Sequence, residues 1–130
     1  HNSIPVWFHE GWASLVAHGG GAEFASDQQV ADDIHSARRV DFTLRDTPES
    51  RHRADAMGLG VHAFYRQAML AVDWLRTQDE ASFRRFVLAI QANTDFEIAF
   101  WDAYGTSPAM KLTGFFDTMT RRFPAGSPSP

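Results

Sequence analysis

Apolar residues recur at helical spacing along most of the chain. Between residues 61 and 75 they are three or four positions apart, which puts them on one face of a helix; this face consists of Val61, Phe64, Tyr65, Ala68, Val72 and Leu75. Three later stretches have a similar spacing, with inward residues Phe83, Phe86, Val87 and Ile90, then Phe96, Ala99, Phe100 and Ala103, and finally Leu112, Phe115, Phe116 and Met119. The pattern predicts four consecutive helices in the second half of the chain.

Capping residues and glycines mark where these helices begin and end. Residues 77–80 (TQDE) and 94–97 (TDFE) match the capping box, in which Ser or Thr is followed three positions later by Glu or Gln. Gly105 is expected to end one helix after Tyr104, and Ser107 with Pro108 to begin the last one.

The first half of the chain predicts two or three further helices. Residues 5–18 carry apolar side chains most of the way round, so we expect a buried helix that the glycines at 19–21 terminate. A capping box at 26–29 opens the next helix. Thr47 and Pro48 would begin a third, which Gly58 or Gly60 would end.

These elements predict an all-α, compact domain of six to seven helices over residues 1–123. Residues 40–44 alternate briefly and allow at most a short strand, and residues 124–130 form a Pro/Ser-rich tail or linker. The sequence starts at His1 and not at a methionine, which suggests a processed protein or a piece of a longer one.

Charge and composition argue against several classes of function. The net charge is −4 and the basic residues are scattered, which argues against a nucleic-acid partner. The absence of Cys excludes disulfides, thiolate zinc sites and Cys nucleophiles. No apolar run approaches the length of a membrane-spanning segment.

Candidate metal chemistry lies in residues 5–20, PVWFHEGWASLVAHGG. His9 and Glu10 begin a sequence that looks like the zinc-binding HExxH motif, but Ala13 stands where the second His is required. Two His one helical turn apart must reach the same cation, so this stretch is not an HExxH motif. No HExxH occurs elsewhere in the 130 residues.

The same stretch resembles a different motif, the second signature of the gluzincin metallopeptidases in the peptidase MA-like branch. In that family an apolar-Pro-x-Trp segment leads into a helix with Glu-Gly-x-Ala, as IPVWFHEGWA does here. FYRQAMLAVDWL is similar to the family's Tyr-x-Gln helix, and residues 83–116 resemble its closing run with a Tyr-Gly-x-Ser turn. The resemblance covers most of residues 4–123.

The resemblance implies that Glu10 is the third zinc ligand, whereas the two His ligands lie on an earlier HExxH helix. This chain then resembles the C-terminal helical half of a zinc metallopeptidase, which hydrolyses peptide or protein substrates with zinc-activated water. Tyr65 is a candidate oxyanion donor, and Gly11 would let another helix approach closely enough to share one ion. His9 departs from the Asn that many family members carry.

For this chain alone we expect weak zinc binding or none, because it lacks the HExxH helix, which would belong to the N-terminal half of the same catalytic domain. The buried helix should pack against the helix at 61–75 through Trp7, Phe8, Trp12, Leu15 and Val16, with Glu10 in a groove rather than in open solvent. The family and the absence of Cys favour an extracytoplasmic setting, although the compartment stays open.

Plainer interpretations remain for each candidate. A glutamate on an amphipathic helix is usually a solvated surface group, and Tyr65 belongs to an apolar stripe in which a core aromatic residue is expected. His9 is expected to lie at the surface. The alternative to a peptidase is a non-catalytic helical module: a degenerate peptidase-like domain, or a bundle that binds protein partners.

Overall fold

Helices form the part of the chain that the computed structural model describes, which comprises residues 4–20, 22–23, 25–42 and 60–124. The helices are α1 (Val6–Val16), α2 (Asp27–His35), α3 (Val61–Gln78), α4 (Glu80–Gln91), α5 (Phe96–Tyr104), α6 (Pro108–Lys111) and α7 (Thr113–Arg122). No strand occurs in these described ranges, so the predicted all-α domain of six to seven helices is confirmed. The helix predicted from Thr47 and Pro48 lies outside the described residues, as do residues 43–44 of the short candidate strand.

Several predicted helix ends are observed. The Ser26 hydroxyl accepts a hydrogen bond from the Gln29 N–H at 3.1 Å and caps α2. Ser107 caps α6 in the same way, with Pro108 in the first turn, but α6 ends at Lys111, so the predicted last helix is divided into α6 and α7. Gly105 follows α5 in the left-handed conformation, with φ of +71°, which glycine adopts without steric cost.

Two predicted capping boxes are wrong in their first residue. α3 continues through Gln78, and Asp79, not Thr77, caps α4: its carboxylate accepts hydrogen bonds from the Ser82 N–H at 3.0 Å and from the Ser82 hydroxyl at 2.8 Å. Asp95 caps α5, one position after the expected Thr94. Asp is a better N-cap than Thr because its charged oxygen is the stronger acceptor.

The core is built largely of aromatic rings around α3. α3 contacts α1, α2 and α4, and its Ala68, Val72 and Leu75 are fully buried. Trp7 of α1 meets Phe42 edge-on at 4.8 Å between ring centroids, and Phe8 meets Phe86 in the same way at 5.2 Å. Edge-to-face pairs of this kind stabilise a core beyond the area they bury.

α1 packs against α3 as predicted, but the ring contacts of Trp7, Phe8 and Trp12 are with other parts of the core, namely Phe42, Phe83, Phe86 and Phe96. Trp7 and Phe8 are buried, and Trp12 and Leu15 pack against the core while partly exposed. Val16 is 60% exposed, so the prediction that it packs inward is wrong. α1 ends there, two residues earlier than expected, and His18 has a φ of +55° outside the helix.

Gln67 is a buried polar residue that ties α3 to the segment after α2. Its side-chain oxygen accepts the Val40 N–H at 2.8 Å, and its amide nitrogen donates to the Arg38 carbonyl at 3.3 Å. The side chain is fully buried. Gln67 therefore supplies hydrogen-bond partners to backbone groups that no strand or helix pairs.

None of the helices in the described ranges combines the length and hydrophobicity that a bilayer crossing requires.

Candidate functional site

α1 and α3 cross in backbone contact at Gly11. A Cβ atom at this position would lie 2.5 Å from the Ala68 carbonyl oxygen and 2.8 Å from a methyl group of Val72. Both distances are shorter than real Cβ contacts, so only glycine allows this approach. The close helix approach that the sequence suggested is present, but the helix is α3, and Ala68 and Val72 offer no metal ligand at the contact.

Glu10 precedes this crossing and is half-buried. Successive helical residues are about 100° apart, so Glu10 lies at the edge of the buried face that Trp7, Gly11 and Ser14 form. Among the described residues, no hydrogen bond or ion pair to its carboxylate is found. His9, in contrast, is exposed.

Tyr65 lies on α3, one turn before Ala68, and is also half-buried. Its ring meets Phe64 edge-on at 6.2 Å between centroids. Glu10 and Tyr65 thus lie near the same helix crossing, but no hydrogen bond joins them. The partial burial of Tyr65 therefore fits both interpretations of this residue: an aromatic residue at the edge of the core, and an oxyanion donor.

The described residues contain no group of three or more His, Asp or Glu side chains that could hold a metal ion. A zinc site with an open position for water needs three protein ligands. Glu10 can supply one of them, so a zinc site that uses Glu10 needs at least one ligand from outside the described residues.

A groove of about 140 Å³ lies between α1 and α4. Its walls are mostly apolar and consist of Ile4, Phe8, His9, Trp12, Val87, Ile90 and Gln91. Phe8 and Trp12 are on the flank of α1 opposite Glu10, because they are turned about 160° from it at about 100° per residue. The groove and the candidate zinc ligand are therefore separate features of the same helix.

Tyr104, which the sequence analysis named only as a helix end and as part of the Tyr-Gly-x-Ser turn, lies between α4 and α6. Its hydroxyl is buried without a hydrogen-bond partner in the described part of the structure. Burial, with a smaller contribution from the negative charge of Asp79, raises the pKa of this hydroxyl well above its usual range. The Lys111 ammonium lies 5.6 Å from the centroid of the Tyr104 ring. The Tyr-Gly-x-Ser pattern indicates where α5 ends but does not predict that this hydroxyl is buried.

Comparison of the chain with known protein families, with curated proteins and with solved structures gives no match. The resemblance to gluzincins is therefore carried by the sequence motifs alone.

Proposed function

We propose that this chain is the C-terminal helical part of a gluzincin-type zinc metallopeptidase, in which Glu10 is the third zinc ligand. The observation that supports the proposal best is the position of Glu10. It is a half-buried carboxylate without a partner among the described residues, at the edge of a helix face that packs against α3. Partial burial of an unpaired charge costs free energy, and a cation bound from another helix would offset that cost.

The proposal divides the chemistry between this chain and residues outside it. Zinc, when bound, would lower the pKa of a coordinated water and make it a nucleophile toward a peptide carbonyl. Glu10 would complete the ligand set that two His residues begin. Gly11 would set the distance between α1 and α3, and this distance determines the position of the Glu10 carboxylate. Tyr65 would donate a hydrogen bond toward the carbonyl oxygen of the substrate.

The test compares Glu10→Gln with Glu23→Gln in the complete protein that contains this chain. Both variants replace a carboxylate by an amide of the same size, and Glu23 is exposed. We expect Glu10→Gln to reduce bound zinc, measured by mass spectrometry of the metal, and peptidase activity at least tenfold, in the range seen when metal sites lose a supporting group. Glu23→Gln should change neither. Full zinc content and activity in Glu10→Gln would show that the proposal is wrong.

The reading frame upstream of His1 provides a simpler check. The proposal requires an HExxH sequence there, and a natural start at His1 or an upstream segment without both His residues would contradict it. For the 130-residue chain alone, isothermal titration with zinc should give weak binding or none. Tight stoichiometric binding would contradict the division of ligands.

The stability of the 130-residue chain separates a ligand from a structural residue. Because Glu10 has no partner among the described residues, Glu10→Gln should leave the free energy of unfolding within about 0.5 kcal/mol of wild type. Unfolding of this variant would assign Glu10 a structural role instead.

A second candidate function is a non-catalytic helical module that binds protein partners. The apolar groove between α1 and α4 and the large apolar side chains that remain exposed, such as Trp101, favour it. A protein with this function would lack zinc even with its complete sequence, so the metal measurement distinguishes the two candidates.

A further inference from the structure

The indole nitrogen of Trp7 is a buried polar atom without a hydrogen-bond partner among the described residues. The Trp7 side chain is 2% exposed, so bulk solvent does not reach this nitrogen either. An indole N–H can only donate, and a buried donor without an acceptor is destabilising. The position of this N–H on α1 therefore requires an explanation.

Aromatic rings surround the Trp7 indole. It meets Phe42 at 4.8 Å, Phe8 at 5.7 Å and Phe96 at 5.9 Å between ring centroids, each in an edge-on arrangement. The face of a ring accepts an N–H only weakly. A carboxylate would be the better acceptor, because hydrogen bonds to a charged group are roughly twice as strong as those between neutral groups.

Glu10 is the acidic residue of α1 and lies three positions after Trp7. Residues three apart are neighbours on the surface of a helix. Helical side chains lean toward the N-terminus of their helix, so the Glu10 side chain extends over the turn that contains Trp7. A buried donor and a half-buried carboxylate, both without a partner among the described residues, thus occupy adjacent positions of one helix.

We propose that Trp7 is a positioning residue for the candidate zinc ligand: its indole N–H donates a hydrogen bond to the Glu10 carboxylate when the metal is bound. This inference rests on the peptidase proposal. Carboxylates that bind a metal are themselves hydrogen-bonded, which holds the side chain in its ligating orientation. Loss of such a partner weakens metal binding about 10–100-fold.

Zinc affinity of the complete protein that contains this chain, measured by competition with a chelator, tests the proposal. Trp7→Phe removes the N–H and should raise the dissociation constant for zinc about tenfold or more. Trp12→Phe makes the same chemical change on the flank of α1 away from Glu10 and should leave the dissociation constant unchanged.

A second variant separates the loss of the N–H from the loss of ring volume. Benzothienylalanine at position 7 carries sulfur in place of the N–H in a ring system of nearly the same shape, so it leaves no cavity in the core. It should weaken zinc binding as much as Trp7→Phe does. Wild-type zinc affinity in this variant would overturn the proposal, whether or not Trp7→Phe folds.

Nuclear magnetic resonance of the indole N–H groups provides a readout that a purely structural role would not change. The Trp7 signal is identified by its absence from the spectrum of Trp7→Phe. Addition of zinc to the complete protein should move the Trp7 indole proton downfield, as expected when it gains a carboxylate acceptor, and should leave the Trp12 signal in place. An unchanged Trp7 signal in the zinc-loaded protein would contradict the proposed hydrogen bond.

The 130-residue chain without zinc tests the starting observation. Because the Trp7 N–H has no partner among the described residues, benzothienylalanine at this position should leave the melting temperature unchanged or raise it. A lower melting temperature would show that the N–H already has an acceptor, and the proposal would then be wrong.

The role of Trp7 and the peptidase proposal can fail separately. If Glu10→Gln keeps its zinc, the peptidase proposal is wrong and the role of Trp7 with it. If Glu10→Gln loses zinc but the benzothienylalanine variant binds it like wild type, Glu10 remains the ligand and only the role of Trp7 is wrong.

Discussion

Replacing Gly11 by alanine should destabilise the chain through the contact between α1 and α3. The new methyl group would start 2.5 Å from the Ala68 carbonyl oxygen, and that contact must lengthen by about 0.9 Å to reach an ordinary 3.4 Å. The atoms met first belong to the α3 backbone, so no side chain can rotate away. The helices must separate, and a gap of about 0.5–1 Å forfeits a quarter to a half of each contact's dispersion energy.

The magnitude follows from two opposing effects. Overpacking of this kind costs about 1–3 kcal/mol, while alanine in a helix gains about 0.5–1 kcal/mol over glycine. The net loss should therefore be about 1–2 kcal/mol, which lowers the melting temperature by roughly 4–8 °C. Urea unfolding followed by circular dichroism should show a lower midpoint with an unchanged slope.

Gly60→Ala is the matched control. Gly60 caps α3 with an ordinary φ of −63°, and a Cβ there meets nothing within 4 Å. Because Ala is a poorer N-cap than Gly, its unfolding free energy should fall by about 0.5 kcal/mol, which is less than the loss in Gly11→Ala. If Gly11→Ala is as stable as wild type or more stable, the inferred contact between the two backbones does not exist.

Three further predictions concern single polar groups. Gln67→Leu should cost about 2–4 kcal/mol in urea unfolding, because it leaves buried backbone groups unpaired, whereas Gln78→Leu at an exposed position should cost almost nothing. Hydrogen bonds from Ser82 hold the pKa of Asp79 below its ordinary 3.8, so the extra stability of wild type over Asp79→Asn should be present above pH 3.8 and disappear as the pH falls below it. Tyr104→Phe removes a buried hydroxyl without a partner and should leave stability unchanged or raise it by about 1 kcal/mol in thermal melts.

Helix positions were predictable from the sequence because apolar periodicity depends on which residues must be buried. The stretch from Phe96 to Ala103 illustrates this: every residue predicted to face inward is buried. Helix starts were less predictable because two capping residues competed. At both Thr77 and Thr94 the Thr-x-x-Glu pattern was present, yet an aspartate one or two positions later caps the helix.

Tertiary contacts explain what periodicity alone could not predict. Val16 matches the apolar pattern of α1, but the helix ends there, and no neighbouring element covers this residue. Gln67 interrupts the apolar residues of α3, and its burial follows from the unpaired backbone of Arg38 and Val40, which is 27 or more residues away in sequence. Glu10 was expected in a groove; it is half-buried, and the groove described beside α1 lies on the opposite flank of that helix.

The position of α1 against α3 determines where the features on both flanks of α1 lie. Glu10 lies on one flank of the helix and the apolar groove on the other, while Gly11 between them touches the α3 backbone. A change at Ile4 or at Glu10 therefore alters one flank and leaves the other in place. Gly11→Ala moves the whole helix away from α3, so it should shift the reach of the Glu10 carboxylate and the width of the groove together. Zinc affinity of the complete protein should consequently change in Gly11→Ala, whereas Ile4→Glu, on the flank away from Glu10, should leave it unchanged.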